Sequence, residues 1–179
     1  VSGTINNDRL PSPVLSVKGD TSSSADGALR LNCSQNSHYT EIKSAPHGSY
    51  SGNTRIFNFN GTNWDQIGAD IDGEASEDIS GTSVSLSSDG SIIAIGAPNN
   101  NGNGIDAGHV RIYNFDGTSW NQLGSSIDGE AADDHSGSSV SLSSDGDIVA
   151  IGAYGNDVDS LRPNAGHVRV YQLDNSDPK

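Results

Sequence analysis

The line SGTSVSLSSDGSIIAIGAP, which begins at Ser80, is written again from Ser136 as SGSSVSLSSDGDIVAIGAY. At this offset of about 56 residues, positions 61–98 superpose on 117–154 with roughly two thirds identity. The rest of the unit also recurs, as NTRIFNFNG from Asn53, GHVRIYNFDG from Gly108 and GHVRVYQLD from Gly166. A chain that repeats itself at this period has to fold as stacked supersecondary units, each burying its apolar side on a neighbour. The last copy arrives about two residues late because the loop 155–165 is longer than the one at 99–107.

Each unit has strand periodicity. SVSLSSDG alternates apolar and polar residues, with Val84 and Leu86 on one side and serines on the other. Asp89-Gly90 predicts a tight hairpin turn of type I′. SIIAIGAP is a more continuous apolar run, as in a strand buried on both faces. HVRIYNF alternates again, and FDGTSWNQLG turns at Asp-Gly into an outer strand. The result is four short antiparallel strands per unit, with no helical periodicity. A four-stranded sheet repeated along a chain is the unit of a β-propeller.

These residues resemble the FG-GAP type repeats of integrin-like β-propellers. The resemblance rests on SGTSVSLSSDG, AIGAP and AGHVRIYNF in one copy and on SGSSVSLSSDG, AIGAY and AGHVRVYQL in the other, and it covers 53–174. It implies an all-β fold. Family members often carry an aspartate-rich calcium loop between the first two strands. Here that place holds only SSDGS and SSDGD, too short for a cation that takes six to eight oxygens. No cofactor is therefore expected.

Counting strands from Asn53 gives a little over two blades, whereas a ring takes roughly four to eight. Either further sequence or other copies of the chain must cover the ends. Three copies supply roughly six to seven blades' worth of strands, and completion by self-association as a homotrimer is expected. The chain contains no Met, so Val1 is expected to follow processing or to lie within a longer chain. Residues 1–27 read as an extended arm, with Pro and Gly punctuation and no sustained period. Residues 28–52 read as a small β segment, with LRLNC and YTEIK around a turn at 35–37, and 53–179 as the repeats.

LRLNCSQNSHYTEIKSAPHGSYSG, at 29–52, with INNDRLPSP before it, is similar to segments of tail-fibre and related virion proteins of marine phages. That resemblance implies a virion appendage protein, commonly trimeric, whose arm contacts other virion proteins. The alternatives are a capsid decoration or tail-assembly protein, a secreted cellular adhesin and, last, a glycan depolymerase. A depolymerase needs two facing carboxylates, and no acid pair stands out from its repeat. A net charge of −14 repels phosphates, so nucleic acid is not an expected partner. No stretch has the length of a membrane-spanning helix.

Hydrophobic residues make up only 32%, so the apolar positions must be well placed to form a core, and recognition is expected from variable loops on the repeat scaffold. The least alike parts of the two copies are those loops. Asn100, Asn101, Asn103, Asp106, Asn156, Asp157, Asp159 and Arg162 are the candidate contacts to a polar ligand such as a cell-surface glycan. Two acidic stretches, IDGEASEDISG at 71–81 and IDGEAADDHSG at 127–137, offer Asp72, Glu74, Asp78, Asp128, Glu130 and Asp134 as possible Ca²⁺ ligands. Their identical placement in both copies favours a scaffold role, as connectors between sheets. His109 and His167, Arg111 and Arg169, and Trp64 and Trp120 are expected to tie neighbouring strands and sheets together. Cys33, His38 and His47 match no zinc spacing.

Overall fold

The computed structural model describes residues 50–157, 161 and 163–173, together with the backbone of two upstream strands, β1 (Arg30–Cys33) and β2 (His38–Lys43). Among the described residues the fold is all-β, with no helix and no sheet closed into a barrel. Among those residues no helix is long and apolar enough to cross a membrane.

Three antiparallel sheets follow one another along the chain. The first contains β1, β2, β3 (Asn53–Phe59) and β4 (Trp64–Gln66) in that order, and β5 (Ile71–Asp72) also pairs with β3. The second repeats this plan with β6 (Ser83–Leu86), β7 (Ile92–Ala97), β8 (His109–Phe115) and β9 (Trp120–Gln122), and β10 (Ile127–Asp128) joins β8. The third holds β11 (Ser136–Leu142), β12 (Ile148–Ala153) and β13 (His167–Gln172). The boundary drawn at residue 52 runs through the first sheet, because β2 pairs with β3 from His38↔Asn58 to Lys43↔Asn53. The upstream hairpin thus gains its stabilising partner strand within the same chain.

The β6–β7 turn differs from the expected type I′. Only Gly90 takes a positive φ, 73°, whereas type I′ requires it at both central residues. The Asp89 carboxylate holds the turn instead, accepting from Ser87 Oγ at 2.7 Å and from Ser91 N at 3.0 Å. At the outer hairpins Asn60 and Asp116 play the corresponding part, each accepting two amides from the residues that follow.

Alternation sorts the second sheet's side chains between its neighbours. Val84, Ile93, Ile95 and Tyr113 pack with Ile56 and Ile71 of the first sheet. Ala94, Val110 and Ile112 pack with Val149, Ile151, Val140 and Leu142 of the third. The central run of β7 is therefore buried on both faces, as its unbroken apolar sequence predicts. The serines of β6 also face protein. Ser83 Oγ donates to Gly137 O at 2.6 Å, and Ser85 Oγ accepts from Leu142 N at 2.9 Å. Polar residues here bind one backbone to the next, which is why strict alternation occurs in a strand covered on both sides. The second and third sheets approach closely at Gly96, where a Cβ would lie 2.0 Å from Gly137 O, so only glycine fits.

Among the described residues the third sheet has a neighbour on one face only. Val110 is 0% exposed, while its repeat counterpart Val168 is 66% exposed. Val110→Ala is expected to lower unfolding free energy by about 2 kcal/mol, the transfer of two methyls plus a cavity term. Val168→Ala should change it by less than about 0.5 kcal/mol. Equal shifts in denaturation midpoint would contradict the stacking order.

Candidate functional site: the loop rim

The start of β6, the end of β7, the start of β8 and the end of β10 lie at one end of the second sheet, as the pairings Ser83↔Gly96, Ala97↔His109 and Asp128↔His109 require. The acidic connectors and the variable loops consequently share a rim. At its base lie two buried carboxylates. Asp78, 2% exposed, accepts from Ala75 N at 3.1 Å and from Asn100 Nδ2 at 2.9 Å. Asp134, also 2% exposed, accepts from Glu130 N, Ala131 N and Asn156 Nδ2 at 3.0–3.2 Å. A buried carboxylate is tolerated only with such donors.

Each connector then docks the following sheet. Arg111 donates from Nη2 to Asp72 O at 2.7 Å, with Nη1 3.6 Å from Glu74. Arg169 repeats the contact, donating to Asp128 O at 2.8 Å with Glu130 3.3 Å away. His109 lies 3.9 Å from both Glu74 and Asp128, and His167 lies 3.8 Å from Glu130. Burial, and then the adjacent Arg111 charge, hold His109 below its ordinary pKa, although Glu74, Asp128 and Asp78 pull the other way.

The six acids proposed for a cation thus serve as connectors. Asp78 and Asp134 face N–H donors, Glu74 and Glu130 face Arg and His, and Asp72 and Asp128 supply backbone oxygens to arginines. Among the described residues no three His, Cys, Asp or Glu groups converge as a metal site. This donor environment does not fit Ca²⁺, which takes six to eight oxygens.

The loop candidates divide in two. Asn100 and Asn156 are buried, with their amides committed to the carboxylates, and their carbonyls close the loops by accepting from Gly108 N and Gly166 N at 2.9 Å. Asn101, Asn103 and Asp157 are exposed, and Asp106 is half-buried. Asn101 Oδ1 accepts from Asp106 N, Asn103 Nδ2 donates to Gly129 O and Asp157 Oδ1 accepts from Asn164 N. Asp159, Arg162 and His47 lie outside the described residues, and Cys33 and His38 are described by backbone alone.

A further pair belongs to the rim. The Tyr154 ring is 62% exposed and stacks on His135, with centroids 4.8 Å apart and planes 13° from parallel. His135 Nδ1 lies 3.3 Å from Pro98 O. The sequence signal for this pair is that the repeats disagree here, with Ile79 and Pro98 at the equivalent positions of the preceding unit. His135 has φ 53°, and the other non-glycine residues with left-handed φ, namely Glu77, Ile79, Asp106, Asp133 and Asn164, all lie in the same connectors and loops. Such conformations cost of order 1–3 kcal/mol each and persist where surrounding bonds fix them.

Two outcomes are expected. Asp134→Ala, which orphans three donors, should lower stability by about 3 kcal/mol in urea titration, whereas Asp145→Ala, which removes an exposed turn carboxylate, should move the midpoint far less. Because the folded state disfavours the His109 proton, the stability linked to this group is present above its ordinary pKa near 6.5. It is lost as pH falls through the lower folded value. His109→Gln should flatten that loss between about pH 7.5 and 5.5, and an unchanged slope would contradict the assignment.

No protein-family model and no curated protein matches this chain.

Proposed function

We propose that the protein is a non-catalytic attachment module of a virion appendage, built on propeller-like repeats and completed by self-association as a trimer. Its rim binds a polar ligand of the cell-surface glycan class. The observation that carries this reading is the Tyr154–His135 stack, a flat exposed aromatic platform set among side-chain amides and carboxylates on a braced rim. An aromatic face with hydrogen-bonding groups around it suits the apolar face and hydroxyls of a sugar ring. The carboxylates at the base of the rim are spent on backbone and asparagine donors, so the geometry favours holding a ligand over reacting with it. Self-association is supported by the uncovered face of the third sheet, where Val168 and Val170 stand exposed. The segments upstream of residue 50 supply the virion part of the proposal, through the tail-fibre resemblance alone.

Binding to a panel of immobilised glycans tests the ligand. Tyr154→Ala should weaken a bound glycan at least about tenfold, as expected for loss of a stacked anchor, with the denaturation midpoint unchanged. A glycan bound equally well by Tyr154→Ala would remove the rim from the account.

A further inference from the structure

Asparagine is followed by glycine at three places, Asn60-Gly61, Asn101-Gly102 and Asn103-Gly104. At such a pair the asparagine side chain is open to attack by its own backbone, because glycine has no Cβ to hinder the approach of its amide nitrogen. The attack asks two things of the fold. The asparagine carboxamide must be folded toward the next residue's amide, and that amide must be free to lose its proton.

The three sites differ on both counts. Asn101 Oδ1 accepts from Asp106 N at 2.7 Å, which draws the side chain across the loop, and Gly102 N is spent on Asn100 Oδ1 at 2.9 Å. Asn103 Nδ2 reaches over to Gly129 O and Glu130 O, at 2.8 and 3.2 Å, and Gly104 N donates to Asn101 O at 3.4 Å. At the β3–β4 turn, by contrast, Asn60 Oδ1 accepts from Thr62 N at 2.9 Å and from Asn63 N at 2.8 Å. The ring closed by the Thr62 bond runs through Gly61, so this carboxamide is folded onto its own following amide. Gly61 is exposed with φ 97°, and among the described residues its N–H meets no acceptor.

We infer that Asn60 is a site of spontaneous deamidation, in which the Gly61 nitrogen displaces ammonia from the Asn60 carboxamide. Gly61 N gives its proton to a solvent base and bonds to Cγ. The Cγ–Nδ2 bond breaks, and ammonia leaves with a proton from water. Water then opens the cyclic imide to aspartate or isoaspartate, with no change of oxidation state. The N–H groups of Thr62 and Asn63 already face the oxygen on which negative charge gathers during attack.

An aspartate product suits the turn itself. The second sheet carries Asp116-Gly117 there, with Asp116 Oδ1 accepting from Thr118 N and Ser119 N at 2.8 Å. The cross-turn partner is what changes. Asn60 Nδ2 donates to Asp65 Oδ2 at 2.6 Å, whereas in the second sheet the pair is reversed, Asn121 Nδ2 donating to Asp116 Oδ2 at 2.9 Å. Deamidation of Asn60 therefore sets two carboxylates against each other at the end of the hairpin.

The test is peptide mapping by mass spectrometry after the chain is held in mildly alkaline buffer, folded in one series and unfolded in urea in the other, with circular dichroism confirming each state. In the folded chain Asn60 should convert at least about fivefold faster than Asn101 and Asn103, the factor that one hydrogen bond to be broken represents. In urea the three rates should converge, since each asparagine precedes glycine. Folded rates that are equal, or slowest at Asn60, overturn the assignment. A lead of Asn60 that persists undiminished in urea also overturns it, because the preference then lies in the local sequence and not in the turn.

Discussion

The arrangement depends on a carboxylate that cannot leave. Asp78 and Asp134 are buried where an unpaired charge would be prohibitive, so the connector must wrap N–H groups around them and the next loop must bring an asparagine amide. This one requirement fixes the path between sheets and closes the β7–β8 and β12–β13 loops. It also sets the backbone oxygens of Asp72 and Asp128 where Arg111 and Arg169 reach them. The left-handed residues of the connectors are the conformational cost of the wrap, recurring at matching positions because the same wrap recurs.

From that lock the sheets acquire a direction. Each presents arginine and an aromatic residue toward the sheet before it and small or branched residues, with serines, toward the sheet after it. Stability in such an array is the sum of unit and interface terms, so the middle sheet, with two interfaces, is held most firmly. The third sheet keeps the same receiving surface without a described neighbour, and this accounts for its exposed valines.

Much of this was legible in the sequence. Period-2 alternation placed the strands of the second sheet, and the doubled IDGEA line marked the connectors as scaffold, because both copies retain every acid that the wrap uses. Three features were not legible. The turn at Asp89 looked like type I′ because dipeptide preference carries no information about a carboxylate bracing Ser87 and Ser91. Asn100 and Asn156 looked like ligand contacts because variable loops attract that reading, yet burial against a carboxylate 22 residues away is a tertiary fact. The His135–Tyr154 stack joins two positions whose significance lies in departing from the repeat, a signal visible only once the scaffold is known.

The central claim is a stack whose second sheet is enclosed by its neighbours, and native-state amide hydrogen exchange tests it most directly. The slowest amides should lie in β7 and β8, where Ile93, Ile95 and Val110 are fully buried, with β12 and β13 exchanging faster. Protection as strong in β13 as in β8, measured on the dissociated chain, would contradict the account, because it would require the exposed face of the third sheet to be covered within a single chain.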